Sequence, residues 1–92
     1  MTPAKGDVAL LERLLTEGGA SRLSVAGGAS AIVVSSADET GAQRERFRLV
    51  AIPKHLYRVE VAEAGRWRNG GVTGVIEKVV AELLKSPVVK PK

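Results

Sequence analysis

Hydrophobic residues recur three and four positions apart near both ends of the chain, which is the spacing of an amphipathic helix. The first stripe predicts a helix over residues 7–17, with Asp7 as N-cap and Gly18-Gly19 as its end. The second predicts a helix over residues 73–85, with Thr73 as N-cap. The two stripes consist of Val8, Leu10, Leu11, Leu14 and Leu15, and of Val72, Val75, Ile76, Val79, Val80, Leu83 and Leu84.

Between these helices the hydrophobic period changes to two, which is typical of half-buried strands. We expect two short strands on either side of Gly27-Gly28, a third over residues 43–52 and a fourth over residues 56–62. A two-residue loop at the two glycines pairs Leu23 with Ile32. The apolar face of this sheet is then Leu23, Val25, Ile32, Val34, Phe47, Leu49, Tyr57, Val59 and Val61.

The loop between the third and fourth strands decides which side chains face the core. A two-residue loop would mix apolar and charged positions on each face, whereas a three-residue loop over 53–55 pairs Phe47 with Val61 and Leu49 with Val59. It also places Arg48 opposite Glu60, as a cross-strand ion pair. We therefore predict the three-residue loop.

These elements indicate a single small α+β domain spanning residues 1–92. Its architecture is two-layered: a four-stranded antiparallel meander with an N-terminal and a C-terminal helix on one face, in the order α-β-β-β-β-α. In an alternative arrangement, one helix packs across a homodimer interface. We expect a flexible lead at residues 1–6, a short extended piece at 66–68, a break at 69–71 and a basic tail at 86–92.

The composition is that of a globular domain, and it does not indicate a particular function. The chain is 45% hydrophobic and 26% charged, as in ordinary globular domains, and it has no cysteine for disulfides or thiolate metal sites. No apolar run approaches the length of a membrane span. We expect a cytoplasmic protein with no membrane association; its net charge of +4 mildly favours nucleic acid or acidic partners.

The residues that catalysis requires are largely absent. His55 is the only histidine and lies in a predicted turn, and the neighbouring carboxylates Asp38 and Glu39 lie in a polar loop. No second histidine or cysteine is present to form a nucleophile–base pair. We therefore expect neither an enzyme nor a bound metal or cofactor.

Arginines are the most distinctive charged residues, and they alternate along the predicted strands. A basic sheet face could bind a nucleic-acid backbone through bidentate guanidinium contacts. Base-stacking surfaces also need aromatic residues among the charges, and the predicted stripe has none. A solvated sheet face explains the same pattern. The stripe consists of Arg22, Arg44, Arg46, Arg48 and Arg58.

Trp67, flanked by Arg66 and Arg68, is the second candidate. A single tryptophan in a small domain either closes the core or anchors a partner, since tryptophan and arginine are enriched at binding hot spots. A weaker candidate is an anion site where a glycine-rich turn meets the predicted helix N-terminus. It consists of Gly70, Gly71, Thr73 and Gly74.

These features favour a non-enzymatic protein–protein interaction module, such as a small regulator, adaptor or subunit, with a second copy of the chain as one partner. Nucleic-acid binding through the arginine-rich sheet face is the alternative.

Overall fold

A computed structural model of the chain describes residues 2–20 and 23–86. Two helices and five strands follow one another in the order α-β-β-β-β-β-α, so the α+β class is confirmed and the expected count of four strands was wrong. Arg22 and residues 87–92 of the predicted tail lie outside the described residues. The elements are α1 (Asp7–Glu17), β1 (Leu23–Gly27), β2 (Ala31–Ala37), β3 (Gln43–Ile52), β4 (Leu56–Glu63), β5 (Arg66–Gly74) and α2 (Ile76–Leu83).

The strands form one antiparallel sheet in chain order, β1-β2-β3-β4-β5, which is the predicted meander with one more strand. Both helices pack on the same face of the sheet: α1 beside β1, α2 beside β4 and β5, and each against the other. Their apolar stripes, apart from the exposed Val75, are therefore packed within this chain. A helix that packs across a dimer interface is not needed to cover them.

The core lies between the helices and this face of the sheet, and it is almost entirely aliphatic. Each fully buried valine, leucine or isoleucine stabilises the fold by about 1.5–3 kcal/mol relative to an exposed one. The predicted apolar face is confirmed, with Leu23, Val25 and Val61 partly rather than fully buried. The least exposed side chains are Leu11, Leu15, Ile32, Val34, Leu49 and Val79.

The first hairpin keeps the predicted faces but not the predicted register. Leu23 lies opposite Ser36 rather than Ile32, and the turn falls after Gly27 instead of at Gly27-Gly28. This register pairs Val25 with the buried Val34, so that two apolar side chains are neighbours across the ladder. In the predicted register, Val25 was paired with a serine. Because the shift is an even number of residues, no side chain changes face.

The hairpin between β3 and β4 has the register that burial dictated. Phe47 pairs with Val61, Leu49 with Val59, and Arg48 with Glu60, as the three-residue loop requires. In that loop Lys54 and His55 take positive φ angles of 71° and 59°. This local strain is tolerated because a two-residue loop would exchange the buried and exposed faces of β4, which costs far more.

The fifth strand occupies the segment expected to be a broken extended piece. Ala64 and Gly65 both have positive φ, as in a type I′ hairpin turn, and β5 then pairs with β4 along its length. Opposite Val59, β5 carries two additional residues in a bulge, where Gly71 has a φ of 74°. The glycines therefore interrupt the ladder locally, without ending the strand.

Both predicted N-caps were wrong. Thr73 lies in β5, and α2 begins at Ile76 after Val75, which has extended backbone angles and a side chain that is 47% exposed. At α1 the N-cap is Gly6, and the Asp7 carboxylate accepts a hydrogen bond from the Tyr57 hydroxyl instead of capping the helix. That bond ties the start of α1 to β4.

The strained turn at Ala64 predicts a stabilising substitution. Because asparagine tolerates positive φ better than alanine and is favoured in type I′ turns, Ala64→Asn should raise the free energy of unfolding by about 0.5–1 kcal/mol. Urea unfolding measures this change. The control is Ala29→Asn, at an exposed turn residue without positive φ, which should have little effect. Equal effects at both positions would contradict the assignment of this turn.

The bond between Tyr57 and Asp7 predicts a pH dependence. Burial, together with the Asp7 contact, raises the pKa of the Tyr57 phenol from 10.0 to about 12. The folded pKa exceeds the unfolded one, so the protonated phenol stabilises the fold below about pH 10, and this stability is lost as the pH rises to about 12.

Tyr57→Phe lacks this titration. Its urea midpoint should therefore fall less steeply than that of the wild type over the same alkaline interval. Tyr57 is the only tyrosine, so ultraviolet absorbance of its phenolate gives the folded pKa directly. Parallel stability curves for the two proteins, or a phenol that titrates at its usual pH, would contradict the prediction.

Candidate functional site

The face of the sheet opposite the helices, here called the outer face, has no helix packed on it in the described part of the chain. Its side chains alternate along the strands with those of the core. They combine half-buried apolar residues with a small group of charges. The main members are Val33, Val50, Ile52, Leu56, Arg48, Arg58, Glu60, Ala62 and Trp67.

Trp67 lies on the outer face and is not part of the core. It pairs across the ladder with Ala62, whose neighbour Val61 points toward the helices. The guanidinium carbon of Arg48 lies 4.6 Å from the centroid of the indole ring, which is a cation–π distance. Trp67 is therefore half-buried by a charged neighbour on an otherwise open face.

Glu60 holds Arg48 in this position. The Arg48 Nε donates to Glu60 Oε1 at 2.7 Å, and its Nη2 donates to the same oxygen. The other oxygen, Oε2, lies 3.6 Å from Nη2 of Arg58. One carboxylate that is only 16% exposed thus orients two arginines, and a charge-assisted pair of this kind fixes the guanidinium over the indole ring.

The predicted arginine stripe is divided by a β-bulge between β2 and β3. Val34 pairs with Phe47 but Ser35 pairs with Glu45, so Arg46 is an additional residue in β3. Residues that pair across two strands share a face of the sheet. Because β3 has this additional residue, its residues before the bulge lie on the opposite faces from those that simple alternation predicts. Glu45 consequently lies on the outer face, where the alternating pattern had placed arginines.

Arg44 and Arg46 do not lie on the outer face, where the stripe was predicted. Arg44 lies opposite the buried Ser36, on the helix-bearing face, and Arg46 donates from Nε to the Ser36 hydroxyl at 2.8 Å. Of the stripe residues in the described part of the chain, only Arg48 and Arg58 remain on the outer face. Simple alternation failed here because nothing in the residue pattern indicated the bulge.

Most of the strand arginines are paired with carboxylates. Besides the two arginines at Glu60, Arg44 Nε lies 2.7 Å from Asp38 Oδ2, and Arg68 Nε lies 2.6 Å from Glu63 Oε2. Within residues 2–20 and 23–86, Arg66 forms no ion pair with a carboxylate. The sheet therefore offers much less uncompensated positive charge than the sequence suggested.

A groove of about 550 Å³ opens at the end of the sheet near the β4–β5 turn, and residues of both sheet faces line it. It is lined by residues 43–46 of β3, Ala62 of β4, and residues 64–67 of the turn and β5. We call it the Trp67 groove. Trp67 is among its lining residues and Arg48 is not.

The proposed anion site at Gly70, Gly71, Thr73 and Gly74 does not meet a helix N-terminus, because these residues belong to β5. The Gly71 amide already donates to Asn69 Oδ1 at 2.8 Å. A Cβ atom at Gly74 would lie 2.6 Å from Cδ of Lys78, so this glycine gives room to the α2 side chain above it. The glycines here serve the bulge and the packing of α2.

The acidic and histidine side chains considered for catalysis have a structural role or lie in an exposed turn. The Asp38 carboxylate accepts hydrogen bonds from the Thr40 hydroxyl and from the amides of Thr40 and Ala42, and it contacts Arg44. These bonds, led by the Thr40 hydroxyl, hold the pKa of Asp38 well below its usual range. His55 is exposed in its turn. Among the described residues, no cluster of three or more acidic, histidine or cysteine side chains is positioned to bind a metal.

The Glu60 network predicts an unequal effect of two similar substitutions. Glu60→Gln removes the charge that orients Arg48 and Arg58, so it should lower the free energy of unfolding by about 1 kcal/mol. Glu63→Gln breaks an exposed single pair and should cost less than about 0.5 kcal/mol. Urea unfolding followed by far-ultraviolet circular dichroism gives both values. Equal losses would contradict a special role for Glu60.

Comparisons with known proteins leave the family open. No protein-family model matches the chain, and neither the curated proteins nor the solved structures contain a significant match. Neither helix in the described residues is long and apolar enough to cross a membrane.

Proposed function

We propose that this chain is a non-enzymatic protein-interaction module, and that it contacts its partner through the outer face. The observation that carries the proposal is Trp67, held on an open sheet face under a guanidinium that Glu60 fixes in place. Tryptophan and arginine dominate binding energies at protein interfaces. Because both side chains are already oriented, ordering them on binding would cost little conformational entropy.

The surroundings of Trp67 also suit a protein surface. Val50, Ile52 and Leu56 lie on the same face, and none belongs to the core cluster. The molecule measures 38 × 29 × 21 Å, so a broad face can supply the roughly 800 Å² that a standard interface buries on each partner. The charges near the centre are paired, which reduces the desolvation penalty when water is excluded.

Nucleic-acid binding is the second candidate, and one observation favours it. Trp67 provides the aromatic surface that the predicted arginine stripe lacked, and Arg48 and Arg58 lie on the same face. Glu45 and Glu60 are also on that face, and both arginines are paired with Glu60. With a single aromatic residue and compensated charge, this face is less suited to a polyanion than to a protein.

Site-specific photo-crosslinking tests the proposal. With p-benzoylphenylalanine in place of Val50 on the outer face, irradiation in cells that naturally make the chain should give a discrete protein adduct. The matched control places the same group at Ala81, an exposed position on α2. We expect adducts from position 50 only, and we expect Trp67→Ala to remove them without changing the circular dichroism spectrum.

The outcomes separate the candidate functions. Adducts that persist in Trp67→Ala, or that form equally from position 81, would contradict a contact surface centred on Trp67. An adduct that nuclease reduces to about the mass of the chain alone would replace the proposal with nucleic-acid binding. If position 50 gives no adduct of any kind, the outer face is not the contact surface.

A further inference from the structure

We infer that the Trp67 groove binds an extended, acidic peptide segment of the partner protein. This inference rests on the proposed function and names the chemistry that the groove at the end of the outer face recognises. It depends on three observations: the shape of the groove around Ala62, the arginines at its rim, and the presence of Trp67 in its lining.

The groove exists because the β3–β4 ladder ends before the β4–β5 hairpin does. The last pair that joins β3 to β4 is Phe47–Val61, whereas Ala62 still pairs with Trp67 of β5. Residues 43–46 of β3 therefore line one side of the groove, and the β4–β5 turn with Trp67 lines the other. Ala62, a small residue of the strand between these two sides, forms the floor and leaves the groove open to an extended chain.

The charge of the groove is positive at its rim. Arg44, Arg46 and Arg66 are among its lining residues, against the single carboxylate of Glu45. Arg46 is anchored through Nε to the Ser36 hydroxyl, which leaves its two terminal nitrogens to bind a ligand. Arg66 has no carboxylate partner in the described residues. Two guanidinium groups are thus available for carboxylates of a ligand.

A peptide fits this arrangement better than a nucleic acid does. Glu45 lies in the groove, and Asp38 is bonded to Arg44 beside it, so a continuous run of phosphates would meet negative charge. In an extended peptide, carboxylates two residues apart lie on the same side, and one residue between them faces the other way. Separated carboxylates can contact Arg46 and Arg66 while an apolar side chain of the ligand packs over Ala62 against Trp67.

Trp67 reports on the groove directly, since it is the only tryptophan in the chain. The probe is an end-blocked peptide of alternating aspartate and phenylalanine, with the asparagine analogue as neutral control. Selective excitation of the indole should show a saturable change with the acidic peptide and none with the neutral one. The affinity should fall with added salt, because exposed charges make the contact.

Two kinds of variant locate the binding. Arg66→Glu should weaken the acidic peptide about tenfold or more, since it replaces a favourable charge with a repulsive one. Ala62→Leu should abolish binding by filling the floor of the groove, while Ala26→Leu, at an exposed alanine of β1 outside the groove, should leave it unchanged. If Ala62→Leu does not fold, Arg66→Glu still decides the question.

Several results would overturn the inference. These are no fluorescence change with the acidic peptide, equal binding of the neutral peptide, unchanged affinity in Arg66→Glu, or tighter binding of a short oligothymidylate than of the peptide. Adducts at position 50 without any peptide binding would reject the groove assignment alone and leave the proposed function intact.

Discussion

In the described part of the chain, helices cover only one face of the sheet, and the rest of the structure follows from that constraint. Both helices place their apolar stripes on the face that carries Ile32, Val34 and Leu49. The opposite face must therefore be stabilised by contacts between side chains of neighbouring strands. The main described contact is Arg48, which lies over Trp67 and is held by Glu60.

One bulge and the fifth strand decide which residues reach the outer face. The bulge at Arg46 places Glu45 there and moves Arg44 to the other side. The second bulge, at the glycines of β5, allows a nine-residue strand to continue beside β4, and this strand carries Trp67. Four uniformly alternating strands without β5 would have produced a basic outer face without an aromatic residue. The actual face has paired charges around one tryptophan, and the Trp67 groove lies at its end.

The predictable parts of the fold were those controlled by burial. The helix over Asp7–Glu17, the strand Gln43–Ile52 and the β3–β4 register follow from the placement of apolar side chains, because any other register would expose them. The fifth strand was missed because its glycines resemble a turn in sequence. They lie opposite Val59, in a bulge that only the neighbouring strand reveals.

The candidate site was less predictable, since it depends on a bulge without a sequence signal. The cross-strand pair Arg48–Glu60 was predicted, but its contact with Trp67 was not, because β5 was not recognised as a strand. The position of Trp67 is the central claim, and a nuclear Overhauser spectrum of its indole protons tests it most directly. We expect contacts with the Arg48 side chain and Ala62, and none with the leucine methyl groups of α1 or α2. Contacts between the indole and those helix methyl groups would place Trp67 in the core and contradict the claim.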